Sequence, residues 1–233
     1  KKALITFITS GDPNQKISSK ILELINSKNV DLIEIGFPFS DPMADGPTIQ
    51  KSSQRAIKSN TNLKSTFTLV KNFRLKESST PIILMGYFNP VFQYGLDNFF
   101  KKCKIVGVDG IIIVDLPPEE DQYISKYASK YNIHNIRLLT PTTDKKRLKH
   151  ILKQTSGFLY YVSVMGITGT KRPSIKEVHK SIKEIRKYSD LPICVGFGIS
   201  RKSQIKNINK FADGCVIGSA LVKFIEEFSQ KKV

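Results

Sequence analysis

Cysteine is scarce in this chain, and so is acid. The 233 residues include three cysteines, Cys103, Cys194 and Cys215, an odd number set far apart in apolar surroundings. They draw neither a disulfide framework nor a CxxC metal pattern, so reduced, packed thiols in a cytosol-like compartment are expected. The three histidines, His134, His150 and His179, have no ligand spacing with one another, with cysteine or with acids, and no metal centre is expected. No apolar run reaches the ~18 residues a membrane span needs, and the start does not read as a signal peptide. Low-complexity segments and domain linkers are missing as well. Gly196-Phe197-Gly198 is followed by Ile, Ser and Arg, so a dinucleotide-binding GxGxxG is not completed. The first residue is Lys rather than Met, which suggests that a short piece precedes it.

Acidic residues number 20 against 37 Lys and Arg, a formal net charge of +17. A charge of this size raises nucleic acid or an anionic membrane as a partner. The lysines are nevertheless spread along helical segments, and no aromatic-plus-basic RNA-binding signature occurs. A solvated, lysine-rich surface accounts for them better.

What is present is a regular alternation of short apolar runs with amphipathic segments. Strands are predicted at Ala3–Ile8, Leu32–Ile35, Pro81–Met85, Ile111–Val114, Ile136–Leu139, Phe158–Val162, Pro192–Val195 and Gly214–Ile217. Helices are predicted between them, the first opening at Asp12-Pro13 as N-cap and first helical position, and a loop is expected over the GYFNPVFQYG stretch. Strand–helix alternation implies parallel pairing through βαβ units, and a repeat that closes at eight predicts a single α/β domain over 1–233, a (β/α)8 TIM barrel. An open doubly wound sheet is the structural alternative.

The stretch Asp31–Gln50, DLIEIGFPFSDPMADGPTIQ, organises the chemistry. Glu34 lies in an apolar strand, where burial raises a carboxyl pKa toward the range useful for proton transfer. Asp45 follows in a loop that can keep it ionised, and two carboxylates in different environments suit two different roles. The plain alternative is a buried structural acid and a turn residue. In a barrel the chemistry sits at the C-terminal strand ends. The unusual residues fall there: Thr9 to Gly11, Glu34 and the 36–46 loop, Tyr87, Asn89, Asp115, Tyr160, the Gly166–Thr170 loop, Gly196–Gly198 and Gly218-Ser219. The glycine turns after the last two strands, one opening a helix, can hold a phosphate on backbone N–H groups and Ser219. The Gly166–Thr170 stretch is a candidate lid.

EIGFPFSDPMADGPTIQ resembles the signature of the tryptophan synthase alpha chain family. The resemblance returns in order at LITFITSGDP (Leu4–Pro13), LMGYFNPVF (Leu84–Phe92), GVDGIIIVDLPPEE (Gly107–Glu120), YYVSVMGITGT (Tyr160–Thr170), VGFGIS (Val195–Ser200) and IGSALV (Ile217–Val222). It implies retro-aldol cleavage of indole-3-glycerol phosphate to indole and glyceraldehyde 3-phosphate. By that resemblance Glu34 is the general acid/base, Asp45 holds the indole N–H and Tyr160 is the site tyrosine. Phe7, Leu84 and Asp115 fall around the indole, and Thr168, Gly169, Phe197, Gly198, Gly218 and Ser219 around the phosphate end. The resemblance also implies a beta-chain partner, met through Asp41, Pro42 and Asn89 in a two-alpha, two-beta assembly. Pyridoxal phosphate would belong to that partner, and no cofactor to this chain. A cytoplasmic location is implied, or a plastid stroma if the gene is plastid-borne. Val164-Met165 departs from the more polar pair of many relatives, and the chain starts and ends short of the family pattern. Two rival readings are another phosphate-binding barrel enzyme, such as a sugar-phosphate isomerase or epimerase, and a non-catalytic basic scaffold for nucleic acid, which steeply salt-dependent binding would reveal.

Overall fold

The computed structural model describes residues 1–28, 30–163, 174–196 and 198–230. Its strands are β1 (Ala3–Thr9), β2 (Leu32–Gly36), β3 (Ile82–Gly86), β4 (Gly110–Ile113), β5 (His134–Asn135), β6 (Arg137–Leu139), β7 (Leu159–Val162), β8 (Ile193–Gly196) and β9 (Gly214–Ile217). They form one sheet in the order β5-β4-β3-β2-β1-β9-β8-β7-β6, and every pairing is parallel. The two ends of that order are neighbours in sequence, so the sheet curls into a nearly closed barrel. The strand expected over 136–139 is β6, and the short β5 precedes it unexpected: β5 ladders onto β4 and β6 onto β7, with only Ile136 between them.

Helices surround the barrel: α1 (Gln15–Asn26), α2 (Pro47–Lys58), α3 (Leu63–Arg74), α4 (Phe88–Tyr94), α5 (Leu96–Val106), α6 (Gln122–Tyr131), α7 (Lys145–Lys153), α8 (Ile175–Ile185), α9 (Lys202–Ile208) and α10 (Ser219–Gln230). Strand residues of one phase, among them Ile33, Ile35, Ile82, Leu84 and Ile111, pack outward against Leu22, Phe67, Phe99 and Phe100. Those of the other phase, Ile5, Ile83, Ile112, Phe158, Tyr160, Cys194 and Val216, fill the barrel interior. Both faces of the sheet are thus covered, as a parallel sheet requires.

Two local expectations are corrected. The first helix is capped by Asn14, whose side chain accepts from Ile17 N at 3.0 Å. Asp12 instead accepts both Arg55 Nε at 2.7 Å and Arg55 Nη2 at 2.9 Å, a bidentate pair that consumes its carboxylate. The stretch read as a loop after β3 is the helix α4. Pro90 sits in its first turn, where backbone N–H groups have no helical partner and the missing donor costs little. Between β8 and β9 lies α9, for which no apolar stripe gave warning.

At the N-terminal end of the barrel one device recurs. Asp31, Asp109 and Asp213 each stand directly before a strand, and each accepts a backbone N–H from the first or second residue of the neighbouring strand. Asp31 accepts from Leu4 at 2.9 Å, Asp109 from Ile82 at 2.8 Å and Asp213 from Ile193 at 2.9 Å. Each also meets a cation, Lys1, Arg74 and Arg186 respectively. Removing Asp213 as Asp213→Ala strands the Ile193 N–H, and a buried unpaired donor costs ~1–3 kcal/mol. Removing only the cation, as Arg186→Ala, breaks a partly solvated pair worth ~0–1 kcal/mol. Urea unfolding of the two variants is expected to separate them in that order, and equal losses would contradict the clamp.

Candidate active site

Parallel register decides what faces the barrel interior. Glu34 on β2 lies opposite Phe7 of β1 and Ile83 of β3. Its neighbours Ile33 and Ile35 point outward into the helix layer, so Glu34 points in. It is completely buried, and neither carboxylate oxygen has a hydrogen-bond partner among the described residues. Burial alone pushes its pKa up to about 8. At neutral pH this carboxyl holds its proton.

Asp45 reaches the same space from the loop between β2 and α2. The Tyr87 hydroxyl donates to Asp45 Oδ2 at 3.0 Å and accepts from Ala44 N at 2.9 Å. Burial pushes the Asp45 carboxyl up to about 6, with the Tyr87 hydrogen bond pulling the other way. Asp45 is therefore ionised at neutral pH while Glu34 is not. Tyr160 on β7 is buried beside them, its phenol pushed well up by burial and then by Glu34 and Cys194. Gly196 on β8 makes room for that ring, because a Cβ there would collide with the Tyr160 hydroxyl and ring edge.

These groups line a cavity of about 530 Å³. Of the residues expected from sequence, Phe7, Glu34, Asp45, Tyr160, Gly198, Gly218 and Ser219 border it. Gly198 adopts φ 74°, a left-handed conformation that favours glycine. Gly218 and Ser219 bring the first turn of α10 to the cavity wall, where helix N–H groups can receive an anion. The remaining walls are largely apolar and come from residues that were not anticipated: Ile49, Met85, Leu138, Val162, Ile199 and Val216, with Thr140.

Leu84 is not among them. It is fully buried in the outer core, with Ile35 as its register partner, and Met85 faces the cavity in its place. Asp115 also lies elsewhere, on a neighbouring cavity of about 420 Å³, where its Oδ1 accepts from Phe88 N at 2.7 Å. Thr168, Gly169, Phe197 and the lid expected over Gly166–Thr170 lie outside the described residues. Asp41 and Asn89 are exposed at the same end of the barrel, Asp41 in the 36–46 loop and Asn89 in the first turn of α4 rather than in a loop. Phe39 and Tyr87 join the two segments, with ring centroids 5.3 Å apart. Among the described residues no group of three side chains is placed to hold a metal ion.

The model of the family described as tryptophan synthase alpha chain matches residues 1–233. The chain belongs to the tryptophan synthase alpha chain family. A curated alpha chain from Geotalea uraniireducens is 48% identical over 228 residues, 98% of this chain and 85% of that protein. The crystal structure of the alpha subunit from Legionella pneumophila superposes with a TM-score of 0.93 at 36% identity, covering 100% of this chain and 86% of that one. A chain of the tryptophan synthase complex from Pyrococcus furiosus superposes with a TM-score of 0.89 at 39% identity over 97% of this chain and 90% of its own. Membership makes this alpha chain a lyase of tryptophan biosynthesis on a TIM-barrel fold.

The one-residue offset on β3 separates packing from binding. Leu84→Ala should cost ~2–5 kcal/mol in urea unfolding, as large-to-small core changes do, and leave ligand affinity nearly unchanged in the folded fraction. Met85→Ala should lose less stability and raise KM. The opposite pairing of effects would place the β3 side chains in the other phase.

Proposed function

We propose that the cavity cleaves indole-3-glycerol phosphate by a retro-aldol reaction, releasing indole and glyceraldehyde 3-phosphate. The observation that carries this reading is one largely apolar cavity that holds a buried carboxyl with no hydrogen-bond partner among the described residues, a second carboxyl bonded by the Tyr87 hydroxyl, and a helix N-terminus. Asp45 accepts the indole N–H and favours positive charge building on the ring. Glu34 gives its proton to indole C3. The bond between C3 and the glycerol carbon then breaks, and its electrons return to the ring and restore the aromatic system. The glycerol hydroxyl becomes the aldehyde as its proton passes to the Glu34 carboxylate, which ends the cycle protonated as it began. The ring itself takes the electrons, so the step calls for no cofactor on this chain. Gly198, Gly218 and Ser219 receive the phosphate on backbone dipoles, the cavity wall holding no Lys or Arg among the described residues.

An isomerase or epimerase of sugar phosphates has less in its favour, because the walls beside Glu34 are apolar where a sugar would need polar partners. A nucleic-acid scaffold leaves a buried, unpaired carboxyl without a purpose. The partner we propose is a beta chain, met through Asp41, Pro42 and Asn89, with pyridoxal phosphate on that partner. No helix among the described residues is long and apolar enough to cross a membrane, and a cytoplasmic site of action fits this reading.

Activity needs Asp45 ionised and Glu34 protonated. Its dependence on pH is therefore expected to be bell-shaped, rising through about 6 and falling through about 8. Glu34→Gln should lower indole release by ~10²–10⁴-fold with the fold intact, which is the usual worth of a general acid/base. Near-parent turnover in that variant would exclude the mechanism. Because Asp45 shares its loop with Asp41 and Pro42, docking of the beta chain should raise the turnover of a slow isolated chain. Equal indole release with and without a confirmed beta-chain complex would refute that coupling.

A further inference from the structure

The cavity beside the active site is walled in part by Arg137, one half of a buried ion pair that the reaction does not use. Asp121 is fully buried and Arg137 on β6 is 4% exposed, with Oδ1 and Nη2 2.6 Å apart. Asn135 Nδ2 donates to the other carboxylate oxygen at 2.8 Å. Taking two charges out of water is expensive, and a buried pair is weak evidence of stabilisation in itself. What this pair does hold is a neighbouring loop: Arg137 Nη1 donates to Leu116 O at 3.2 Å. Leu116 follows Asp115, whose Oδ1 accepts from Phe88 N at 2.7 Å. Phe88 follows Tyr87, whose hydroxyl donates to Asp45 Oδ2 at 3.0 Å. The contacts run without a gap from β6 to the loop after β4, to the start of α4 and to the loop after β2. Each step passes through adjacent residues, so no slack segment separates the ion pair from the carboxylate.

We infer that the Asp121–Arg137 pair is a positioning device for Asp45, latching the 114–118 loop so that Asp115 fixes the Phe88 amide and with it the Tyr87 hydroxyl. The inference deepens the proposed function, since it rests on Asp45 being the carboxylate that must be ionised. The titratable groups set around Asp45 among the described residues are Tyr87 at the start of α4, Glu34 on β2 and Tyr160 on β7, with Asp115 behind Tyr87. Among the described residues only the Tyr87 hydroxyl bonds the Asp45 carboxylate directly. A latch that slips therefore acts on Asp45 through Tyr87, removing the hydrogen bond that favours its ionised form.

The test replaces both charges at once, as Asp121→Leu with Arg137→Met, because well-packed apolar replacement of a buried pair is often neutral or stabilising whereas a single removal leaves a charge unpaired. The Asp45 carboxyl is titrated by carbon-13 NMR in the full chain, and kcat and KM for indole-3-glycerol phosphate are measured across pH. The Asp45 titration and the acid limb of kcat are expected to move upward together, toward their position in Tyr87→Phe. A displaced group of this kind can lower kcat by up to ~10²-fold. Adding the double replacement to Tyr87→Phe should move the titration no further, since both act through one contact. A folded double variant with the parent's titration and kcat overturns the inference, and so does an additional shift in the Tyr87→Phe background. Should the double variant not fold, Asp115→Ala cuts the middle link without touching the pair. It must give the same upward shift, and an unmoved titration there overturns the latch. The NMR titration needs no turnover, so a parent chain that releases no indole would fail the proposed function separately from this inference.

Discussion

An unpartnered carboxyl inside the barrel sets the terms for what surrounds it. Both oxygens of Glu34 are buried without a hydrogen-bond partner among the described residues, and its charged form is costly there. It stays neutral because its surroundings stay neutral: Phe7, Ile83, Tyr160 and Cys194 are its buried interior neighbours. A lysine or arginine on that wall would ionise it and end its use as an acid at neutral pH. The reliance on backbone dipoles at Gly198, Gly218 and Ser219 for anion binding is consistent with that requirement. The same burial bears on stability. The folded carboxyl keeps its proton up to about 8, while an exposed one loses it near 4.5, so the unfolded chain binds fewer protons between those values. The folded state accordingly loses stability as pH rises across that window.

Asp45 shows the complementary solution. It lines the same cavity as Glu34 and is likewise pushed up by burial, but it owns a hydrogen-bond donor, and the donor is itself committed. The Tyr87 hydroxyl takes the Ala44 N–H on one side and so directs its single proton to Asp45 on the other. Two carboxyls eleven residues apart in sequence are thus set apart in protonation, Glu34 by burial alone and Asp45 with the help of one phenol at the start of α4.

The architecture was legible because strand–helix alternation is a local signal repeated along the whole chain, and Glu34 stood out as an acid in an apolar strand. What could not be read were the facts that depend on distant partners. The run Pro81–Met85 is apolar throughout, because both faces of β3 are covered, so it carries no alternation to check the placement of Leu84 beside the indole, which rests on the resemblance alone. Only the pairing with Glu34 on the neighbouring strand tells Leu84 from Met85. The helix α4 was read as a loop around Pro90, because the carboxylate at its start, Asp115, comes from another strand end. Asp121 and Arg137 have no motif spacing at all, and their union exists only where β6 passes the loop after β4.

The aspartates beneath the barrel take on a further meaning in this light. Asp31, Asp109 and Asp213 fix where β1, β3 and β8 begin against their neighbours. A strand's inward and outward sets are determined once its starting position is fixed, and a slip of one residue exchanges them throughout. On β3 that exchange would carry Leu84 into the cavity and turn Met85 into the helix layer. On β8 it would put a side chain where Gly196 now yields to Tyr160. The reading frame of the catalytic face is thus written at the opposite end of the molecule, by carboxylates that never approach a substrate.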